Sequence, residues 1–286
     1  MKFKHLGIAS LLITLSTFSA ASSTVSHWDF TPSGDLDSTH ITSDGIVTAN
    51  VLTGTKHGVD LQITAWSSSL HGGRTSCMDN PGGPGDVQDK CIQRTQLTSY
   101  GNNGLGNINK DEGDDTPNHS VDNNMQDYDM ILLSFSEAVN ISSINTGWNY
   151  SYTNLDNSGA TSRNRNNAGA SAMAYTGSGT LSSNPFSSTD TWASILHDGW
   201  SNIGSDFRTN GSNGHIPITN GSSIFSRYWL IGAAHAVERN AGHITDHIKI
   251  AGVSFAKRTT GQNNVSAPIG MVALMFGAAL WIRRKA

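Results

Sequence analysis

The sequence predicts an all-β protein built as a single β-sandwich with jelly-roll-like connections and long polar loops. Its clearest strand is VDLQITAW at 59–66, where Val59, Leu61 and Ile63 fall on one face while Asp60 and Gln62 fall on the other. Such alternation is typical of a strand buried on one side. Gly, Ser, Thr and Asn separate the apolar runs, and no segment has the period of a helix or a heptad repeat.

Other segments with strand character follow in order along the chain. They are 44–54, 128–136, 141–150, 170–177, 226–234 and 246–258. The polar stretches 100–127 and 154–167 are expected to be surface loops. These elements place one β-sandwich domain at 22–257.

The N-terminal segment 1–21 has the features of a secretory signal peptide. Lys2 and Lys4 precede an apolar stretch at 6–18, and small residues follow it. The small-residue rule favours cleavage between Ala21 and Ser22. The alternative is an N-terminal membrane anchor, for which the apolar stretch is short.

The C-terminal segment 265–286 contains an apolar run closed by Arg283, Arg284 and Lys285. A membrane-spanning helix needs about 20 apolar residues, and this run is shorter. It therefore suits either a short permanent anchor or a signal that is read and removed. Residues 258–264 have no apolar period and are expected to form a linker.

Charge and cysteine content narrow the function classes. The terminal signals hold five of the 18 basic residues, which leaves 13 basic against 22 acidic residues and a net charge of −9 for the body. This charge argues against nucleic-acid binding, which requires a basic surface.

The two cysteines, Cys77 and Cys91, flank a Pro- and Gly-rich loop and predict a disulfide in an exported chain. For a loop of about 15 residues, such a bond contributes about 3 kcal/mol to stability.

The C-terminal segment resembles the tripartite PEP-CTERM sorting signals that exosortases process in Gram-negative bacteria. Its short motif is Val265, Ser266, Ala267 and Pro268, followed by the apolar helix and the basic cluster. The Glu of the usual Pro-Glu-Pro is absent. The resemblance implies that the inner membrane holds the helix transiently until an exosortase cuts near 266–268. In this orientation the basic cluster lies on the cytoplasmic side of the inner membrane.

The body resembles exosortase-dependent surface proteins in the segments YDMILLSFSEAVNISSINTGW, SAMAYTG, SRYWLIGAA and DHIKIAGVSFA. This resemblance implies an exported protein of the cell surface or extracellular space, made alongside exopolysaccharide. It implies no reaction and no cofactor. We therefore expect a non-enzymatic protein whose partners are an exosortase and an extracellular polysaccharide.

Two sets of side chains are candidates for ligand binding. Trp192 and Trp200 lie in a loop-like segment and are candidates for stacking on sugars, with core packing as the alternative. Asp111, Asp114 and Asp115 lie in an acidic segment that suits calcium, although its spacing does not match an EF-hand and a solvated loop is the alternative.

Other chemistry has weaker support in the sequence. His235, His243 and His247, with Glu238 and Asp246 nearby, would suit zinc on a helix, but the following residues indicate a strand and a hairpin loop. No Gly-x-Ser-x-Gly motif is present. The alternative functions are a secreted carbohydrate-active enzyme, which would need two carboxylates in a Trp-lined cleft, and a calcium-stabilised carbohydrate-binding adhesin.

Overall fold

Long antiparallel strands make up this protein in its computed structural model. The structure describes residues 25–37, 47–68, 91–108, 120–123, 128–154, 161–165, 167–208, 214–219, 223–234 and 244–258. The strands are β1 (Val25–Asp29), β2 (Val47–Ala49), β3 (Leu52–Lys56), β4 (Val59–Ser68), β5 (Ile92–Ser99), β6 (Leu105–Ile108), β7 (Val121–Asp122), β8 (Tyr128–Asn154), β9 (Thr161–Arg165), β10 (Gly169–Tyr175), β11 (Trp200–Arg208), β12 (His215–Pro217), β13 (Ser226–Ala233) and β14 (Ile244–Lys257). The all-β prediction is confirmed.

All of these strands belong to one continuous hydrogen-bonded sheet. Its main order is β1-β14-β6-β5-β4-β8-β13-β10-β11, so strands far apart in sequence become neighbours, as expected for jelly-roll-like connections. The 27-residue strand β8 joins the two halves of the sheet. Its first part pairs with β4 and β13, and its second part pairs with β14.

The apolar core lies between the two halves of the sheet. The ring of Phe135 in the first part of β8 stacks on the ring of Phe255 in β14, with centroids 6.4 Å apart. Alternate residues of the facing strands fill this core, among them Trp28, Leu61, Ile63, Ile131, Leu133, Trp229, Ile231, Ile250 and Val253. The alternation at 59–66 therefore predicts correctly which residues of β4 face the core.

A second apolar cluster covers part of the outer face of the first half-sheet. The connection between β10 and β11 folds back over this face and contributes Phe186, Trp192 and Ile195. They pack on outward residues of the strands, including Trp66, Met130, Leu132, Met173 and Leu230. The central strands of this half are consequently buried on both faces, which explains why their sequences lose the alternation of hydrophobic and polar residues.

Several predicted boundaries are wrong. The segments 128–136 and 141–150 belong to one strand, because β8 bends from one half-sheet into the other without a break. The predicted loop 100–127 contains β6 and β7, and the predicted loop 154–167 contains β9. Short polar strands of this kind have no apolar alternation to identify them, since neighbouring strands hold them in place.

Candidate binding face

An aromatic pair marks the outer face of the second half-sheet. Trp148 and Tyr150 are two residues apart on β8, so both side chains project from the same side of the strand. Their ring centroids are 4.6 Å apart with planes inclined at 45°. Both side chains are half-buried, so each ring retains some surface in contact with solvent.

A bulge in β8 determines which way these rings point. The pairing with β14 skips Gly147, since Thr146 opposes Ile250 while Trp148 opposes Lys249. The extra residue allows Thr146 and Asn149 to face inward together, and the Asn149 Nδ2 donates a 2.9 Å hydrogen bond to Thr146 Oγ1. Bulges redirect the side chains that follow them, and this one directs Trp148 outward.

The same position accommodates a tight turn from the neighbouring part of the sheet. A 3-10 helix at Gly101–Asn103 packs directly over Gly147, where an added Cβ would lie 2.6 Å from the Asn102 carbonyl oxygen. Gly104 follows with φ +92°, a conformation that favours glycine. Gly147 allows the turn to approach β8, and Gly104 allows it to approach Ile250 of β14, where an added Cβ would clash with the backbone. Together they place Tyr100 over the Lys249 amine.

The Lys249 amine lies against the faces of two of these rings, Tyr100 and Trp148. Its Nζ lies 3.2 Å from the ring centroid of Tyr100 and 5.1 Å from that of Trp148. Burial lowers the pKa of Lys249 to about 8, whereas the negative faces of the two rings favour the charged form. Burial also raises the pKa of Tyr100, and a hydrogen bond with Thr98 opposes that rise. We call Tyr100, Trp148, Tyr150 and Lys249 the aromatic face.

Polar side chains lie further along the outer surface of the same strands. The Asn145 amide bridges two imidazoles, donating from Nδ2 to His27 Nδ1 at 3.1 Å and accepting at Oδ1 from His215 Nδ1 at 3.0 Å. These three residues come from β8, β1 and β12. They add hydrogen-bonding groups to a surface on which the aromatic rings themselves carry few.

A buried Ser, Asp and His cluster adjoins the aromatic face, since His247 of β14 pairs with Tyr150 of β8. Ser120 Oγ lies 2.9 Å from Asp122 Oδ2 and 3.1 Å from His247 Nδ1, and that same nitrogen lies 3.3 Å from Asp122 Oδ2. A catalytic triad needs the serine and the carboxylate on opposite ring nitrogens. Here both contact Nδ1, so the arrangement anchors β7 to β14 instead of activating a nucleophile.

Asp246 lies next to this cluster and faces the interior. Its side chain is 0% exposed, and Arg208 Nη2 lies 3.5 Å from its Oδ2. Burial raises the pKa of Asp246, while the Arg208 guanidinium and hydrogen bonds from Ser151 and Gly169 act in the opposite direction. Arg208 also contacts Asp206 at 2.7 Å, so one cation is shared by two carboxylates.

The tryptophans proposed from the sequence as ligand contacts are buried. Trp192 is 0% exposed and its indole Nε1 donates a 3.0 Å hydrogen bond to the Tyr128 carbonyl. Trp200 is 4% exposed and packs against Phe186, with ring centroids 6.0 Å apart. Both therefore belong to the outer apolar cluster, because the connection that carries them folds onto the sheet.

The remaining sequence-predicted site residues mostly lie outside the described residues. This applies to the processing positions Ala21, Ser22, Val265, Ser266, Ala267, Pro268, Arg283, Arg284 and Lys285, to the calcium candidates Asp111, Asp114 and Asp115, to Cys77, and to His235, Glu238 and His243. Cys91 is buried at the start of β5, 1% exposed. The disulfide, the sorting signal and the calcium hypothesis stay predictions.

Within the described ranges, no group of three or more His, Cys, Asp or Glu side chains is placed to hold a metal ion. Over the same ranges, no helix reaches the length and apolar character needed to cross a bilayer.

Comparison with known proteins adds no relative. No family model, no curated protein and no solved structure matches this chain.

Proposed function

We propose that this chain is an exported, exosortase-processed surface protein that binds extracellular polysaccharide without acting on it chemically. The observation that supports binding is the half-buried pair of Trp148 and Tyr150, whose rings retain solvent-exposed surface on the outer face of β8. Trp and Tyr combine a broad apolar ring with a polar edge, and the faces of sugar rings, lined by C–H groups, stack on such surfaces.

The surroundings of the pair support the proposal further. The Lys249 amine lies against the Trp148 ring and, on its other side, the Tyr100 ring, and Tyr150 packs beside Trp148. These contacts restrict the Trp148 ring, which lowers the entropy lost when a ligand binds. Asn145, with its two histidine partners, offers hydrogen bonds to hydroxyl groups along the same surface. A strand face of this kind suits one stretch of an extended chain better than a small enclosed molecule.

The non-enzymatic part of the proposal rests on the same geometry. The Ser120, Asp122 and His247 cluster lacks triad geometry and is buried. A cleft on the opposite side of the fold contains two carboxylates, Asp37 and Asp60, but each accepts a hydrogen bond from a threonine hydroxyl, and the described lining contains no tryptophan.

The export part of the proposal rests on the sequence signals, and its test is fractionation with intact-mass analysis. In a host with the exosortase, we expect protein that begins near Ser22, lacks 269–286 and is recovered outside the inner membrane. In an exosortase-deficient host, the tail should stay attached and the protein should remain in the membrane. Full-length membrane-bound protein in both hosts would contradict processing.

The enzyme alternative has a separate test. Purified protein incubated with polysaccharide should release no new reducing ends and leave the molecular mass of the polymer unchanged. Release that disappears in an Asp37→Asn or Asp60→Asn variant would show that the cleft is an active site and that the chain is an enzyme.

A further inference from the structure

A polar cleft lies on the outer face of the first half-sheet, beside the segment that covers the rest of that face. Its volume is about 580 Å³. Strands β3, β4, β8 and β13 form its floor, and residues 180–183 form one wall. The cleft begins where the outer apolar cluster ends, at Tyr228.

The floor consists of polar side chains in strand register. Thr53 pairs with Gln62, Gln62 pairs with Ser134, and Ser134 pairs with Tyr228, which gives one row across four strands. Neighbouring strands are about 4.8 Å apart, so this row spans about 14 Å. Apart from the buried Tyr228 ring, these side chains are exposed or half-exposed.

A second row runs parallel to the first and carries a carboxylate. Thr55 pairs with Asp60, and its Oγ1 donates a 2.7 Å hydrogen bond to Asp60 Oδ1. The Asp60 backbone N–H donates to Ser136 Oγ at 2.8 Å, which extends the row to β8. The carboxylate is thereby held in one orientation while it stays exposed at the floor of the cleft.

Arg227 closes the far end of the cleft. Its guanidinium carbon lies 5.5 Å from the ring centroid of Tyr228, and its Nε donates a 3.2 Å hydrogen bond to the Phe135 carbonyl. Tyr228 is fixed in turn, because its hydroxyl accepts a 3.1 Å hydrogen bond from the Leu181 N–H. The planar guanidinium is thus held in place, and among the described residues its terminal N–H groups have no hydrogen-bond partner, so they can donate to a ligand.

The chemistry of this lining suits a neutral polyhydroxylated ligand. Planar carboxylate, amide and guanidinium groups alternate with hydroxyls, and together they donate to and accept from the vicinal hydroxyls of sugars. A polyanion fits poorly, because the cleft holds two carboxylates against one guanidinium and the body carries a net charge of −9.

The cleft and the aromatic face lie on opposite sides of the core. Phe135, whose neighbours Ser134 and Ser136 face the cleft, points inward and stacks on Phe255 of β14. Lys249 of β14 points outward on the other side. A single rigid domain therefore presents two surfaces that no one short ligand reaches together.

We propose that the polar cleft is a second saccharide site, specific for a neutral glycan segment, and that the domain bridges two glycan chains. Two weak sites on one domain convert separate contacts into an avid link between polymer chains. The cleft site stands independently of the aromatic face, since none of its residues is shared, whereas the bridging rests on the proposed function.

The test uses the full chain after removal of its signals in the producing host, and two double variants. The cleft variant, Gln62→Ala with Arg227→Ala, loses two hydrogen-bonding side chains of the cleft. The aromatic-face variant, Trp148→Ala with Tyr150→Ala, loses the two stacked rings. Thr48→Ala, at an exposed position of β2, is the matched control. Melting temperatures close to that of the parent protein establish that each variant is folded.

Binding is measured on an array of neutral, amine-bearing and uronic-acid oligosaccharides. We expect the aromatic-face variant to keep binding neutral oligosaccharides and the cleft variant to lose at least tenfold in affinity for those same ligands. Unchanged affinity in the cleft variant, or a preference of the cleft for uronic acids, would overturn the proposal.

Bridging is measured as the turbidity of a neutral polysaccharide of the type that the array selects. The parent protein and Thr48→Ala should cross-link it, and both double variants should bind without cross-linking. Cross-linking by the cleft variant would overturn the bridging. Complete loss of array binding in the aromatic-face variant would overturn the cleft site while leaving the proposed function standing. A cleft variant that binds nothing on the array would overturn binding by the aromatic face while leaving the cleft site standing.

Discussion

Trp148 and Tyr150 stand side by side on one face of β8, with ring centroids 4.6 Å apart. The bulge at Gly147 produces this arrangement, because it shifts the inward and outward phase of the strand by one residue. Without it, Trp148 would continue the inward series of Ile144 and Thr146, which are both buried, and would point toward the core. The main feature of the proposed site is thus a departure from regular strand geometry.

The first prediction concerns the stability of the fold at Lys249. Its pKa in the folded protein is about 8, below its ordinary value of 10.5. Between these two values the unfolded chain binds more protons than the folded chain, so this residue makes stability rise with pH. We expect the stability of the parent protein relative to Lys249→Met to increase from pH 7.5 to about pH 10.

Chemical denaturation at several pH values measures this difference. Lys257→Met, on the same strand but with its amine paired to Glu137 at 2.6 Å, is the control for general effects of removing a lysine. A difference between parent and Lys249→Met that does not change with pH would show that the rings hold the amine protonated.

The second prediction concerns Asp246. Burial raises the pKa of this carboxyl above 3.8 in the folded protein, so its ionisation opposes folding as pH rises through that range. Asp246→Asn should therefore gain stability relative to the parent when the pH is raised from 4 to 7. Chemical denaturation at several pH values measures this difference in stability. If Asp246→Asn instead loses stability relative to the parent between pH 4 and 7, the ion pair with Arg208 outweighs desolvation.

The third prediction concerns the outer apolar cluster. Trp192 is fully buried, so Trp192→Ala should lower the free energy of unfolding by about 3–5 kcal/mol. Asn184→Ala, an exposed position in the same connection, should change it by less than about 0.5 kcal/mol. A Trp192→Ala protein as stable as the parent would show that this connection does not pack on the sheet in solution.

The fourth prediction concerns the cysteines. Cys77 and Cys91 should be joined, so alkylation of freshly isolated protein without reduction should label neither. Reduction followed by alkylation should label both and add the mass of two adducts. Labelling of either thiol before reduction would contradict the disulfide.

The sequence identified the features that depend on local pattern. Alternation at 59–66 predicted β4 and its inner face correctly, because one side of that stretch faces the core and the other faces the cleft. The segments 226–234 and 246–258 largely coincide with β13 and β14, where β-branched and aromatic residues are frequent, and the segment 170–177 overlaps β10. These properties depend on only a few neighbouring residues in the sequence.

The sequence did not identify the features that depend on distant contacts. Trp192 appeared to be in a loop open to ligands, because its neighbours are polar and turn-forming, yet the connection packs on a sheet surface formed by β4, β8, β10 and β13. The outward position of Trp148 depends on the bulge at Gly147, which no local sequence pattern predicts. The cleft arises only when Thr53, Gln62 and Ser134 are brought into one row by strand pairing.

The central claim is that Trp148 and Tyr150 bind polysaccharide, and equilibrium binding to a glycan ligand tests it most directly. The measurement uses the Gln62→Ala, Arg227→Ala protein, in which the cleft is disabled, so that calorimetry reports the aromatic face alone; the ligand is the oligosaccharide that this variant binds best on the array. Phe225→Ala in the same background is the matched control, because that half-buried ring also lies under a cation, with the Arg258 guanidinium carbon 5.2 Å from its centroid. We predict at least a tenfold further loss of affinity, about 1.4 kcal/mol, when Trp148→Ala or Tyr150→Ala is added, with no change for Phe225→Ala. Equal affinity with and without Trp148→Ala or Tyr150→Ala in this background, in proteins that are all folded, would contradict the account.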